Sequence, residues 1–454
     1  MKRVVIVGGG ISGLSAAYYL RRARRDLDLT LLEAGERLGG VITTLHRDGF
    51  VVEGGPDSFI IQKPWALQLC HDLGIQQRLI APDPSNRKVY VLFRGRLHEL
   101  PPGMMTGAPA RLGPFLKTRL ISWPGKLRMA LDLVLPRGHD SGDESLGAFI
   151  RRRLGREAVD RIADPILGGI HVSDADRLSL AMTFPRLREL ERQHRSLILG
   201  MRRETSARSA DTGSPFRTLP GGMAELVSAL QAGLQGVELR TSSPVEQISR
   251  SLEVVTAAET IQADAIILAL PPHAARDILR AGHPETAEAM GAIPSVSTAT
   301  VALGYRDVQP SVALDATGFV IPRGERRRIL ACTWSSRKFS GRAPEGALLL
   351  RCFLGGERGE EILRQGDDAL VQIARQELSE LMGLRDAPVL SVVYRWEKAN
   401  PILEVGHPAR LKRIESALEA SRNLFVTGGG IRGVGIPDCV RDAKNVSGLL
   451  ASRL

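Results

Sequence analysis

The stretch Lys2–Gly13, KRVVIVGGGISG, constrains the fold of this chain more than any other. Val4, Val5, Ile6 and Val7 form a short β-branched run that stops at glycine, the pattern of a buried strand feeding a tight turn. Gly8, Gly10 and Gly13 follow at G-x-G-x-x-G spacing. At such a turn the first glycine permits the bend, the second lets a pyrophosphate approach the backbone, and the third lets a helix pack closely on the strand. Ile11 and Ser12 fall in the first turn of the helix-like run that follows, whose N-terminus offers N–H groups and partial positive charge to phosphate.

Glycine spacing alone is weak in a chain with 47 glycines, so context carries the reading. Glu33 ends a second apolar run, Leu29–Leu32, at the distance where an acidic side chain accepts ribose hydroxyl protons. Ala34, Arg37, Gly39 and Gly40 extend this signature as EAGERLGG. An arginine near the phosphates followed by a glycine pair favours FAD over NAD. A signal peptide at Met1-Lys2-Arg3 is the bland alternative, but glycines interrupt the apolar run and no small-residue cleavage site follows. The folded domain is therefore read as beginning directly.

At 454 residues the chain has room for two or three domains. No apolar run approaches the roughly 20 residues of a spanning helix, so the protein could lie on a membrane but not cross one. The formal charge of +11, mostly arginine, suits an anionic ligand or an anionic lipid surface. Nucleic acid is not expected, because aromatics make up 4% and no basic cluster is interleaved with stacking residues. Cys70, Cys332, Cys352 and Cys439 are far apart in sequence and form no C-x-x-C pair. They read as reduced cytosolic thiols, and with scattered histidines no metal site is expected.

Beyond the opening unit come VVEGGPDSF, GGIHVSDADRLSL, HRSLILGM, FRTLPGGM, ILALPPHAA and GVGIPDCV. With these the chain resembles, over nearly its whole length, the protoporphyrinogen and coproporphyrinogen oxidases. These are flavoenzymes of haem synthesis within the amine oxidase and phytoene desaturase superfamily. The resemblance implies an α/β fold: a Rossmann-like FAD-binding domain (1–80, 212–290 and 420–454), a β-sheet substrate-binding domain (81–103 and 291–419) and an inserted helical domain (104–211). It adds Gly55, Pro56, Asp57 and Ser58 to the FAD site. It also adds the backbone of Val245 around the adenine, Ala269 before Pro271-Pro272, and Gly428, Val434, Gly435 and Ile436 beside the flavin. The helix beginning near Pro437 would aim its positive end at the flavin's pyrimidine edge.

The implied reaction removes six electrons from a porphyrinogen, protoporphyrinogen IX or coproporphyrinogen III, in three passes, with molecular oxygen reduced to hydrogen peroxide. Arg87 and Lys88 are the substrate-binding residues implied, as a clamp for a propionate; no catalytic residue is nominated. The next haem-pathway enzyme is an implied partner. An amine oxidase or carotenoid desaturase is the rival reaction, and a non-catalytic porphyrin-binding flavoprotein the rival class. Three departures stand out. His171 replaces an aromatic residue, Pro401-Ile402-Leu403 replaces Pro-Gln-Tyr, and Gly429-Gly430-Ile431 replaces Asn-Ala-Tyr.

Local patterns give further expectations. Pro64–Leu79 reads as one amphipathic helix, Lys88–Glu99 as a hairpin turning at Arg94-Gly95, and Val237–Ile248 as one strand. Thr205–Ser214 reads as a linker and the runs from Ser295 to Glu397 as an antiparallel sheet. Between Pro109 and Pro136, apolar residues alternate with Arg111, Lys117, Arg119, Lys126 and Arg128 against one acid, Asp132. Such a segment suits a cytoplasmic protein docked peripherally on the anionic inner face of the plasma membrane, or else a helix pair covering a core.

Overall fold

The computed structural model describes every residue except 105–106, 139–141, 208–212 and 422. The central part of the 205–214 stretch, expected as a linker, and the boundary near 211 thus lie outside the described residues, while its first three residues are instead the end of the helix Leu197–Ala207.

Strand β1 (Arg3–Val7) has Val4, Val5 and Ile6 wholly buried, which is why it reads as continuous apolar sequence and not as an alternating one. It pairs in parallel with β2 (Asp28–Leu32) on one side and with Ala265–Leu268 on the other. Leu424–Val426 and Val237–Arg240 complete a five-stranded parallel sheet in which β1 is central. Helix α1 (Ile11–Ala23) and the C-terminal helix Ile436–Arg453 pack together over one face, with Leu14, Leu20, Val440 and Leu450 fully buried.

Two sequence expectations need correction here. Val237–Ile248 is not one strand: Ser242 turns at φ 49°, Pro244 follows, and Val245–Ile248 opens a separate three-stranded antiparallel sheet. The helix expected over Pro64–Leu79 runs only from Trp65 to Asp72, because Gly74 at φ 73° ends it and a short 3₁₀ turn at Gln76–Arg78 follows.

A seven-stranded sheet stands beside this unit, in the order 390–401, 295–305, 348–355, 331–334, 316–320, 88–93, 96–99. The expected hairpin is present, with Arg94 and Gly95 both at positive φ. The sheet is mixed, not wholly antiparallel: Ala316–Val320 pairs in parallel with Lys88–Phe93, a strand contributed by a distant segment. Helix Asp367–Met382 buries Leu370, Ala374, Leu378 and Met382 against one face. Cys332 and Cys352, far apart in sequence, face each other across neighbouring strands of this core as buried free thiols.

Between 112 and 207 the described residues are mainly helical, and the first helices are α2 (Leu112–Lys117) and α3 (Trp123–Ala130). The polar heart of this segment is the buried pair Asp132–Arg153 at 2.6 Å. Asp132 also accepts from the Ser196 hydroxyl (2.5 Å) and the Ile198 N–H (3.0 Å), while Arg153 donates to the Arg195 carbonyl at 2.7 Å. The HRSLILGM stretch is therefore spent on closing this pair's hydrogen bonds, as a buried charge requires. A ten-residue π-helix, Val159–Gly168 with Pro165 inside it, leads into the turn at His171.

Candidate cofactor and substrate site

The turn after β1 is set by contacts that only glycine permits. A Cβ on Gly13 would lie 1.8 Å from the Gly8 carbonyl oxygen, and one on Gly9 would lie 2.4 Å from a Leu38 methyl. A Cβ on Gly10 would meet only the Gly40 Cα, at 4.0 Å, so Gly10 marks the open side of the turn. The Gly39 N–H donates to the Gly9 carbonyl at 2.8 Å, and Gly40 closes to Gly10, so the predicted glycine pair is carried onto the turn. No side chain caps α1, whose N-cap is Gly10, so Ile11, Ser12 and Gly13 lie in an uncapped, electropositive first turn.

Glu33 accepts from the Gly9 N–H at 2.7 Å through one oxygen and from the Gly35 N–H at 2.8 Å through the other. Two hydrogen bonds leave a carboxylate with unused lone pairs for a ribose diol. Ala34 is exposed beside it. The N–H groups of Ser243 and Ser242 donate to the carbonyls of Glu33 and Gly35, at 2.9 and 2.8 Å, which brings Val245 alongside. Its strand is an outer one of its sheet, and so presents unpaired backbone groups. Arg37 turns inward: its guanidinium donates to the carbonyls of Leu38, Gly40 and Ile42, bracing the loop that holds the glycine pair.

The opposite wall comes from later sequence. Ala269 lies over Gly8, whose Cβ would come within 2.5 Å of its carbonyl, and the Ala269 N–H donates to Val7 at 2.8 Å. Gly428 follows the end of Leu424–Val426 at φ 129°. Val434 and Gly435 lead into the C-terminal helix at Ile436, again with no side-chain cap. Cys439 in that helix's first turn lies beside Ser12, and its thiol donates to the Val434 carbonyl at 3.9 Å. Two uncapped helix N-termini therefore meet in one mouth, an arrangement that favours an anionic ligand. Lys63 pairs with Asp438 at 2.6 Å beside it.

Gly55, Pro56, Asp57 and Ser58 form the floor where the seven-stranded sheet meets the nucleotide unit. Asp57 is gripped by Lys338 Nζ at 2.8 and 2.9 Å, by the Ser58 hydroxyl at 2.7 Å and by Arg351 at 3.5 Å. Burial alone would push its carboxyl up, but Lys338 and Arg351 hold it well below the usual carboxylate range. Arg351 also donates to the carbonyls of Glu53 and Gly55, at 3.0 and 2.7 Å. Arg342 donates to Thr218 and Leu219 and lies 3.4 Å from Glu53, whose carboxyl burial pushes up. Sequence reading missed Lys338, Arg342 and Arg351: Lys338 ends a short helix, Arg342 follows it outside any regular element and Arg351 lies in a strand, and each is far in sequence from its partners, Lys338 by 281 residues from Asp57.

The propionate clamp divides in two. The Lys88 ammonium is committed to Asp315 at 2.6 Å and Glu99 at 3.5 Å, which argues against its expected role as a clamp. Arg87 is exposed and bonds no described residue; its loop is tied to the carbonyls of Lys338 and Arg337 by the Asp83 N–H (2.9 Å) and the Asn86 amide (3.0 Å). A separate cavity of about 600 Å³, with Tyr18, Asp72, Arg78 and Glu225 in its wall, contains none of the predicted cofactor residues. Among the described residues no group of His, Cys, Asp or Glu side chains could hold a metal.

The glycine cradle, the half-used Glu33 carboxylate and the convergent helix ends fit a dinucleotide. Comparison with known proteins agrees. The family described as flavin containing amine oxidoreductase matches residues 11–451. Coproporphyrinogen III oxidase of Bacillus subtilis is 37% identical, covering 98% of this chain and 96% of its own. A chloroplastic protoporphyrinogen oxidase of Nicotiana tabacum is 29% identical, covering 98% and 84%. A crystal structure from Exiguobacterium sp. 255-15, a protein carrying a protoporphyrinogen oxidase name, superposes with TM-score 0.90 at 33% identity over 100% of this chain and 99% of that one. The chain thus belongs to the flavin containing amine oxidoreductases, and within them to the family of the coproporphyrinogen III and protoporphyrinogen oxidases.

Proposed function

We propose that this chain oxidises coproporphyrinogen III to coproporphyrin III, removing six electrons in three two-electron passes and reducing molecular oxygen to hydrogen peroxide. The observation that carries the reading is the 37% identity to a coproporphyrinogen III oxidase along nearly the full length of both chains. Bound FAD supplies acceptance of two electrons at a time. The protein's own residues bind and orient. The turns at Gly8–Gly13 and Gly39–Gly40 receive the pyrophosphate, Glu33 the ribose, and Val245 the adenine edge, while Gly55–Ser58 and Gly428–Ile436 flank the ring. Arg87, exposed and bonded to no described residue, is available to a propionate, whereas Lys63 is committed to Asp438 as Lys88 is to Asp315, both at 2.6 Å.

The helical segment adds a location. No helix among the described residues is long and apolar enough to cross a membrane. Yet Leu112, Leu116, Trp123, Leu127, Leu131, Leu133 and Val134 are all exposed, Trp123 at 64% and Leu127 at 69%. Arg111, Lys117, Arg119 and Arg137 are exposed among them. Lys126, counted in the sequence as part of a basic face, is instead buried and donates to the carbonyls of Leu116 and Thr118 at 2.8 Å each. Asp132, the acid of the segment, is buried against Arg153. An apolar surface ringed by unneutralised bases is what docking on an anionic lipid surface requires.

The test is turnover by FAD-loaded protein of coproporphyrinogen III and protoporphyrinogen IX, read by porphyrin fluorescence with peroxide measured in parallel. The larger kcat/KM is expected on coproporphyrinogen III, with three peroxides per porphyrin. Fluorescence rising no faster than in protein-free buffer would sink the assignment.

A further inference from the structure

The C-terminal helix opens on the run Gly433-Val434-Gly435-Ile436-Pro437-Asp438, and its start is left bare. Gly435 offers no side chain as a cap, Pro437 has no N–H, and the N–H groups of Ile436 and Asp438 donate to no described residue. An acid in the first turn of a helix ordinarily accepts from such groups or cancels their positive end. Asp438 does not cap: its two oxygens accept from Lys63 Nζ, at 2.8 and 2.6 Å. The carboxylate nevertheless stays under the helix mouth. A Cβ on Gly433 would lie 2.4 Å from the Asp438 Cβ, and one on Gly435 would lie 3.5 Å from its Oδ2. Arg441, a second cation near it, is 3.8 Å away and donates instead to the Arg432 carbonyl at 3.0 Å.

The charges at this mouth nearly balance. A bare helix start carries about half a positive charge, the Asp438 carboxylate a full negative one and the Lys63 ammonium a full positive one. With Lys63 in place the sum is positive; without it the sum is negative. The His171 imidazole faces the pair, and burial keeps it uncharged at neutral pH, so it adds nothing. Asp438 is buried and Lys63 only partly exposed, so water screens them less than it would a surface pair. Lys63 also follows closely on the Gly55–Ser58 floor in the chain. The ion pair therefore ties together the two segments placed above on either flank of the flavin ring. A reduced flavin carries negative charge, and positive charge at its edge favours it.

We infer that Lys63, acting through Asp438, keeps the helix mouth electropositive and so raises the readiness of the bound flavin to accept electrons. The inference rests on the FAD placement proposed above and deepens it, giving the pair a task in the oxidation itself. Lys63 is on this account a positioning residue, since it works through the carboxylate and the helix end. A pair that only held the fold would behave differently. Removing either partner would then break the same contact, and the two losses would act in the same direction. Charge acting on the flavin gives the two removals opposite signs.

The readout is the midpoint potential of the flavin in full-length, FAD-loaded protein, titrated with dithionite against a reference dye and without substrate. Flavin content and thermal midpoint serve as controls for folding. Lys63→Met should lower the ratio of reduced to oxidised flavin at a fixed potential about tenfold, a midpoint about 30 mV lower for two electrons. Asp438→Asn should raise the midpoint, while Lys63→Arg and the double variant Lys63→Met/Asp438→Asn should stay within about threefold of the wild-type ratio. A Lys63→Met shift smaller than about threefold overturns the proposal, as do shifts of the same sign in the two single variants. Should Lys63→Met hold no flavin, Asp438→Asn decides alone: a higher midpoint supports the proposal, and an unchanged or lower one overturns it. Because the titration contains no porphyrinogen, a protein inert toward porphyrinogens would overturn the functional reading and leave this inference standing. A wild type that binds no FAD would overturn the cofactor site and this proposal together.

Discussion

Lys338→Met tests the lock between the seven-stranded sheet and the GGPDSF loop. The side chains of Lys338 and Asp57 are 16% and 13% exposed, so each is largely withdrawn from water. Removing one partner of such a pair costs about 3–5 kcal/mol when nothing else compensates the charge left behind. Here Arg351 remains at 3.5 Å and the Ser58 hydroxyl at 2.7 Å. The expected loss is therefore about 2–3 kcal/mol, below that range, because the carboxylate keeps two of its partners. The sign with pH follows from Asp57, whose folded-state pKa lies below the unfolded value of about 3.9. Its contribution is complete above that value and is lost as pH falls through the folded pKa. The gap between wild type and variant should stay constant from about pH 6 to 8 and narrow only below about pH 4. Denaturant unfolding of the FAD-loaded protein at several pH values reads it, and the double variant Asp57→Asn/Lys338→Met should lose less than the two single losses added together. A Lys338→Met protein within about 0.5 kcal/mol of wild type at pH 7 would refute the lock.

Gly10→Ala should fold, because its backbone at φ −73°, ψ −178° is open to any residue and the new methyl has 4.0 Å of clearance. The methyl would nevertheless stand where phosphate approaches, so FAD affinity should fall at least about tenfold; flavin absorbance per mole of protein checks it, and an unchanged yellow protein would contradict the cradle. Trp123→Ser/Leu127→Ser removes two exposed apolar side chains, each worth about 1.5–3 kcal/mol if buried in lipid, so sedimentation with anionic vesicles at low salt should fall more than tenfold. Wild-type protein that stays in the supernatant ends the docking proposal.

The nucleotide unit was legible because its signals are local. Gly8, Gly10, Gly13 and Glu33 lie in one stretch with fixed spacing, and the structure brings them to one turn through bonds as short as the 2.7 Å from the Gly9 N–H to Glu33. The reach of a strand was less legible. Within Val237–Ile248 the run Thr241-Ser242-Ser243-Pro244 carries the break, and the tertiary tie of Ser242 to Gly35 shows where the chain leaves one sheet for another. Charge pairing was not legible at all. Asp57 reads as a turn residue and Lys88 as a free cation, and nothing near either position names Lys338 or Asp315. The basic face at Arg111–Arg128 was half legible, since periodicity places Lys126 outside while two carbonyls draw it in.

The departures from the family pattern, scattered through the sequence, gather around one wall. A Cβ on Gly430 would lie 2.5 Å from the Cβ of Pro401, so the glycine at 430 and the Pro401-Ile402-Leu403 run fit each other. Ile431 is wholly buried and its carbonyl is bound to His407 Nε2 at 2.9 Å, while Ile402 packs into the helical segment's core. Leu403 accepts from the Ser179 N–H at 2.8 Å, at the end of the stretch that carries His171. With Ile402, Leu403 and Ile431 each at most 1% exposed, the side chains at these positions are spent on core packing, where an amide or phenol would need a buried partner of its own. On this argument the glycine at 430 and the two apolar runs are one packing solution at the junction of strand, glycine loop and helical segment, since a side chain at 430 would collide with Pro401 whatever stood at 402 and 431.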